Sequence, residues 1–472
     1  MLPDDILLEI FALYVLGGHF LPFVKRNVEK WITLAHVCRR WRSIVFQSPR
    51  RLNLRLVCTP QTPARDTLDI WPPLSLIIRD PSGISDDEDK KTSVDNITTA
   101  LEPNDRVCQI ELLNLTYSEL EYVMDSAAIR EPFPELTDLH LAMFVDDGPG
   151  PIPPAPFLGR TTPSLRSLYL DGIPFPELPK LLLSATHLVK LDLSNIPRSG
   201  HIPPEVMATS LSALNSLESL SLKFRYPQRH PASESQRPLP PSLTRSFLLN
   251  LTRIIFKGES EYLEEILARI DAPRLDKLDI TFFNQIIFDT PQLFQFISRR
   301  PTLRAPKRCY IEFSSEAIVV NVPSQTSDNG VLSVRIPCTT SEWQLSSLEQ
   351  VCTSSLPPIS TFEDLLIFEN LYPRPHWQDD IESTLWLELL HSFVAVKNLC
   401  LSEELAHCIA PALQELVGGR TTEVLPSLEK IVLDSSHLPS GPLHEGIEKF
   451  VAARRLTSHP VAVYRWGKLW EI

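Results

Sequence analysis

The residues that come nearest to a reactive set are Cys400, His407 and Cys408. A thiol beside an imidazole can act as a nucleophile, and thiols with imidazoles can hold zinc. Either use needs more groups at short spacing. The eight cysteines (38, 58, 108, 309, 338, 352, 400 and 408) instead lie scattered without a C-x-x-C pair. Cys400 falls inside an apolar, strand-like stretch, so the set reads as a half-buried thiol beside a surface histidine. Gly418-Gly419-Arg420 resembles an anion loop only superficially: apolar helical residues precede it, which makes it a helix C-cap and turn. No G-x-x-x-x-G-K-[ST], G-x-G-x-x-G or G-x-S-x-G motif occurs, and no aromatic series is interleaved with basic residues for base stacking. The residue types therefore point to binding rather than bond-making, with no cofactor and no metal.

Composition narrows what is bound. The 472 residues are 43% hydrophobic and 22% charged, as in a folded chain, and suffice for several domains or one extended array. Forty-three prolines against 15 glycines favour many short elements with stiff corners. A net charge of −13 speaks against nucleic acid as the main partner. The first 57 residues carry nine Lys+Arg against four Asp+Glu, so the rest is more acidic still. Acids at positions 4 and 5, no apolar run of membrane-spanning length and unpaired cysteines predict a protein without membrane association, cytoplasmic or nuclear.

The elements that must position a binding surface begin at once. In Leu2-Pro3-Asp4-Asp5-Ile6-Leu7-Leu8-Glu9-Ile10-Phe11, Ile6/Ile10 and Leu7/Phe11 are pairs one helical turn apart. Pro3 and the two aspartates suit a helix start. Trp31, Leu34, Cys38, Trp41 and Val45 then step by threes and fours, predicting one second helix with Arg39 and Arg40 off its apolar stripe. Two such segments are too small to bury these residues alone, which marks a docking element. Leu2-Pro3, Ile6, Ile10-Phe11, Val37-Cys38-Arg39-Arg40-Trp41-Arg42 and Ile44 resemble the F-box, the segment that binds the Skp-family adaptor of cullin-based ubiquitin ligases. Residues 15–30 depart from that family in being longer and interrupted by Gly17-Gly18 and Pro22. The resemblance implies adaptor-binding residues Leu2, Pro3, Ile6, Leu7, Ile10, Phe11, Val37, Cys38, Trp41 and Ile44, some of which also pack the F-box internally.

From Arg106 onward one pattern, L-x-x-L-x-L, keeps returning. It starts at Leu136, Leu165, Leu188, Leu217, Leu251 and Leu275, with spacings of 29, 23, 29, 34 and 24 residues. It resumes at Phe362, Val396 and Leu428, and Val107 begins a plausible earlier copy. A period of 20–30 residues with this core marks a leucine-rich array, one strand plus a returning helix per unit. The last two apolar positions share a strand face and the first closes the turn into it. Segments 176–184, 261–270 and 291–299 read as the short returning helices, and Pro-x-Leu at 134, 163, 273 and 426 ends a helix before a strand. Isolated amphipathic helices would explain one copy of the pattern but not nine. Residues 308–338 alternate instead, predicting extra hairpin strands with a turn at Asp328-Asn329-Gly330. Ser82–Asn96 and Tyr226–Pro241 read as polar surface loops.

The expected fold is therefore α/β: a small helical F-box (1–48), linking strands with an acidic loop (49–105), an irregular leucine-rich-repeat solenoid (106–440) and a C-terminal cap (441–472). Trp343–Leu348, Leu385–Leu390, Val396–Leu399 and Ala410–Arg420 resemble the large F-box family of mushroom-forming fungi, over nearly the whole chain. These resemblances imply a non-catalytic substrate receptor of a Skp–cullin–F-box ubiquitin ligase; the alternative is a scaffold or sensor that recruits no cullin. An unknown target protein would sit on the concave face, at positions between the buried leucines: Asp138, His140, Tyr169, Asp171, Lys190, Asp192, Lys223, Lys277 and Asp279.

Overall fold

The computed structural model describes residues 2–16, 29–80, 90–143, 150–227, 245–283, 288–300, 306–324, 331–354, 359–370, 383–417, 420–434 and 444–466. Most of the 15–30 interruption, the 328–330 turn, Gly418-Gly419 and most of the two polar stretches lie outside these residues. The chain forms two compact units, one of Met1–Ile202 with Ala213–Leu217 and one of Pro203–Ser212 with Glu218–Ile472.

The first unit opens with three helices, α1 (Asp4–Leu16), α2 (Lys30–Val37) and α3 (Arg39–Gln47). The single second helix expected from spacing is in fact two. Cys38 is extended (φ −162°, ψ 169°) and its sulfur accepts the Trp41 N–H at 3.4 Å, so it caps α3 instead of continuing α2. Spacing by threes and fours survived that break because it holds within each half. There follow β1 (Arg55–Cys58), α4 (Ala64–Ile70), β2 (Ser75–Arg79), α5 (Lys90–Leu101), β3 (Val107–Leu112), α6 (Tyr117–Asp125), β4 (Asp138–Ala142), β5 (Ser167–Asp171), α7 (Leu178–Ser184) and β6 (Lys190–Ile196). All six strands run parallel in sequence order. Strands β1 and β2 thus extend the sheet upstream of the first repeat motif. The stretch read as a loop to Asn96 is helical from Lys90, where Val94, Ile97 and Leu101 recur at helical spacing and are buried.

The second unit carries α8 (Pro204–Ser212), β7 (Ser219–Phe224), β8 (Ser246–Phe247), β9 (Arg253–Gly258), α9 (Ser260–Arg269), β10 (Ile270–Asp271), β11 (Lys277–Phe282) and α10 (Pro291–Ser298). After them come β12 (Arg308–Phe313), β13 (Ala317–Pro323), β14 (Val331–Pro337), α11 (Ser341–Ser354), β15 (Asp364–Glu369), α12 (Ser383–His391), β16 (Asn398–Ser402), α13 (Glu403–Glu415), β17 (Lys430–Asp434), α14 (Glu445–Leu456) and β18 (Ala462–Trp466). Its strands lie in the order β7-β9-β11-β14-β13-β12-β15-β16-β17-β18, while β8 and β10 pair separately. The pairing is parallel except among β12, β13 and β14. The hairpin strands therefore continue the sheet: β14 joins β11 and β12 joins β15, both in parallel.

One local device recurs in the repeats from Leu136 onward. The first apolar residue of each motif donates its N–H to the carbonyl three residues back, at 3.2 Å for Leu136, 3.0 Å for Leu188 and 3.1 Å for Leu428. A single carbonyl then accepts two N–H groups of the next strand, as Thr137 does from Arg166 and Ser167, and Lys397 from Glu429 and Lys430. The two remaining leucines of each motif are buried against the returning helices. Stacking hides what one repeat could not hide alone.

Candidate functional site

Helix α1 is apolar on two faces. Leu7, Leu8 and Phe11 turn inward, Phe11 with no exposure at all and its ring 4.7 Å from that of Trp41. Ile6 (47% exposed) and Ile10 (46%) turn outward one helical turn apart, and Leu2 (52%), just before the helix, is exposed as well. Leu13 and Tyr14 lengthen that outward stripe; they follow Ile10 by three and four residues, one further turn along the same face. Arg40 fixes the start of α1 by donating to the Leu2 carbonyl (2.6 Å) and to Asp4 (2.9 Å). Val37 and Cys38, where the chain passes from α2 into α3, are exposed too.

Of the ten residues assigned to adaptor binding, Leu2, Pro3, Ile6, Ile10, Val37 and Cys38 are on the surface and Trp41 is half-buried. Leu7, Phe11 and Ile44 are enclosed. These three belong to the packing between helices, and a partner would have to unfold the segment to reach them. The segment is also tied to the strands that follow it. The Trp31 indole N–H donates to the Arg55 carbonyl at 2.9 Å, and Glu29 accepts the Val57 N–H at 3.0 Å. Trp71, which no motif singled out, stands edge-on to Trp31 at 5.3 Å and to Phe46 at 6.2 Å.

The nine target-face residues fall into two groups of unlike charge. In the first unit, register places Gln109, Asp138, Ser167 and Lys190 in one cross-strand row, and Arg79, Glu111, His140, Tyr169 and Asp192 in the next. Hydrogen bonds tie these side chains together across and along the strands. His140 meets the Ser167 hydroxyl at 3.1 Å, Tyr169 donates to Asp171 at 3.0 Å, and Asn195 donates to Asp171 at 2.6 Å. Burial, then the Asp171 carboxylate, pushes the Tyr169 hydroxyl up, so it stays a donor. Glu111, Asp138, Asp171 and Asp192 make this face acidic. In the second unit, Lys223 faces Lys257, Lys277 faces Arg253, and Asp279 lies between Ile255 and Ser333. On β7, β9, β11 and β14, Asp279 is the lone acid among the outward positions.

The Cys400 thiol is pushed up to about 11, by burial first and then by Asp364 and Asp434, so it is a protonated thiol at neutral pH. Among the described residues no group of three His, Cys, Asp or Glu could hold a metal ion, and no helix is long and apolar enough to cross a membrane.

The class of module at the N-terminus is defined on these grounds, and comparison agrees: residues 1–55 match the F-box-like family. That family serves as a non-catalytic adaptor. No curated protein matches the chain. Among solved structures it is similar to the leucine-rich repeat-containing protein LegL7 from Legionella pneumophila, at 13% identity over 86% of this chain and 98% of that one, with a TM-score of 0.24. At that score the arrangement here rests on its own strand order. The chain is thus an F-box-like segment followed by leucine-rich-repeat-like α/β units.

Proposed function

We propose that the chain is the substrate receptor of a Skp–cullin–F-box ubiquitin ligase, of the kind found in the F-box family of mushroom-forming fungi. The observation that carries this reading is the exposed set Ile6 and Ile10 on α1, with Leu2 just before it, on a helix already satisfied on its inner face. A helix that keeps large side chains half exposed on one side, inside an F-box-like segment, is built to be covered by a partner. Covering half-exposed aliphatic side chains stabilises by about 1 kcal/mol each. Leu2, Ile6, Ile10, Leu13 and Val37 together offset the lower end of an association cost of roughly 4–15 kcal/mol. Polar contacts from the adaptor must supply the remainder.

The role needs no reactive side chain. Holding a target near a charged ubiquitin carrier raises the effective concentration of its lysines. Mixing the full chain with a purified Skp-family adaptor and a cullin tests the assignment. Co-elution of all three supports the ligase reading; adaptor without cullin favours a scaffold; elution of the chain alone overturns both.

A further inference from the structure

We propose that the sheet face of β7, β9, β11 and β14 docks a short, extended acidic peptide of a target protein. This deepens the receptor reading and rests on it. The outward positions of these four strands carry Lys223, Lys257, Arg335, Arg253 and Lys277 against one acid, Asp279. Two like-charged pairs stand directly opposite on neighbouring strands, Lys223 with Lys257 and Arg253 with Lys277. Such pairs weaken a sheet. Further along the same unit facing charges are matched: Arg308 meets Asp364 at 3.0 Å, and Glu363 lies between Lys307 (3.6 Å) and Lys397 (3.2 Å). A chain of net charge −13 that concentrates cations here sets up a local field for carboxylates.

The spacing selects the ligand. Strands lie about 4.8 Å apart, so Lys223 to Arg335, three strand steps, spans about 14 Å. Arg253 and Lys277 stand four residues back along the strands, about 13 Å away. Cations spread that far apart suit carboxylates on several residues of extended chain, not one small anion. The cations are also bounded by acids: the row of Lys223, Lys257 and Arg335 passes through Val319 to Glu312, and Glu218 and Asp276 precede β7 and β11. A long polyanion would meet those acids, whereas a short peptide need not. Register continues the face onto Val319, Tyr310 and Phe368, all partly exposed. Tyr310 lies three strand steps from β11, about 14 Å, so an apolar side chain about four extended residues from the acids has a seat.

Fluorescence anisotropy with the full-length chain tests this. The probes are labelled peptides of about twelve residues: an Asp/Glu cluster with a Phe four residues away, its Asn/Gln counterpart, and a Lys-rich version. We expect the acidic peptide to bind on the order of tenfold tighter than the Asn/Gln one, and to weaken as salt rises. Combined Lys223→Glu, Lys257→Glu and Arg335→Glu should abolish the difference with the circular dichroism melt unchanged. If that variant misfolds, the Gln substitutions replace it. Equal binding of acidic and neutral peptides, or undiminished binding by the variant, overturns the proposal. So does single-stranded RNA of similar length binding as tightly, which would assign the face to nucleic acid. Capture of the Lys-rich peptide alone overturns it while leaving the receptor reading standing on the acidic first-unit face; capture of none of the three counts against both.

Discussion

Ile10 and Phe11 are neighbours in sequence and face opposite environments, Ile10 46% exposed and Phe11 not exposed at all. Truncating them should separate folding from docking. Phe11→Ala leaves a cavity between α1 and α3 and should cost about 3–5 kcal/mol in urea unfolding. Ile10→Ala should change stability by less than about 1 kcal/mol and weaken adaptor affinity roughly tenfold. Arg454 is the residue least visible in advance. It is fully buried, and its guanidinium donates to the carbonyls of Thr421 (3.0 Å), Leu425 (3.3 Å), Pro426 (3.3 Å) and Leu428 (3.1 Å). Arg454→Leu strands those carbonyls and should destabilise by about 3 kcal/mol. His444 caps α14 by accepting the Gly446 N–H on Nδ1 at 3.1 Å, and burial, then His407, lowers its pKa. Folding therefore favours neutral His444. Its contribution is complete above about pH 6.5 and is lost as pH falls below that value. His444→Asn, which keeps an acceptor at the cap, should flatten that acid-side loss in thermal melts between about pH 5 and 7.

At the scale of elements, the repeat was legible because one apolar pattern serves one physical task each time it occurs. Leu165, Leu168 and Leu170 close a turn and fill a strand face, and so do Leu428, Ile431 and Leu433. Alanine at the turn position, as in Leu165→Ala, should cost about 2–5 kcal/mol, and alanine at an outward strand position such as Ser167 less than about 0.5 kcal/mol; chemical denaturation reads both. The hairpin strands were legible through alternation. Their place in the sheet was not, because β14 joins β11 and β12 joins β15 through register, which only a folded chain displays. The same holds for charge. Arg253 and Lys257 alternate with buried Ile254 and Phe256 and could be read from the chain, but Arg335 becomes their neighbour only through β14. The break at Cys38 was hidden for the opposite reason: two short helices preserved the spacing of one.

Across the whole molecule, the proposed binding is shared between an apolar docking stripe and charged sheet faces. Charge reversal at Asp138 and Asp192 should weaken capture of a target held by the first unit without altering adaptor binding, as parallel pull-downs would read. The docking stripe carries the central claim. Titration of a purified Skp-family adaptor into the full-length chain, wild type against Ile6→Asp with Ile10→Asp, tests it most directly. The account predicts saturable binding by the wild type and a loss of at least about 2.8 kcal/mol, a hundredfold, in the variant at an unchanged melting temperature. Equal affinity of the two proteins would contradict it.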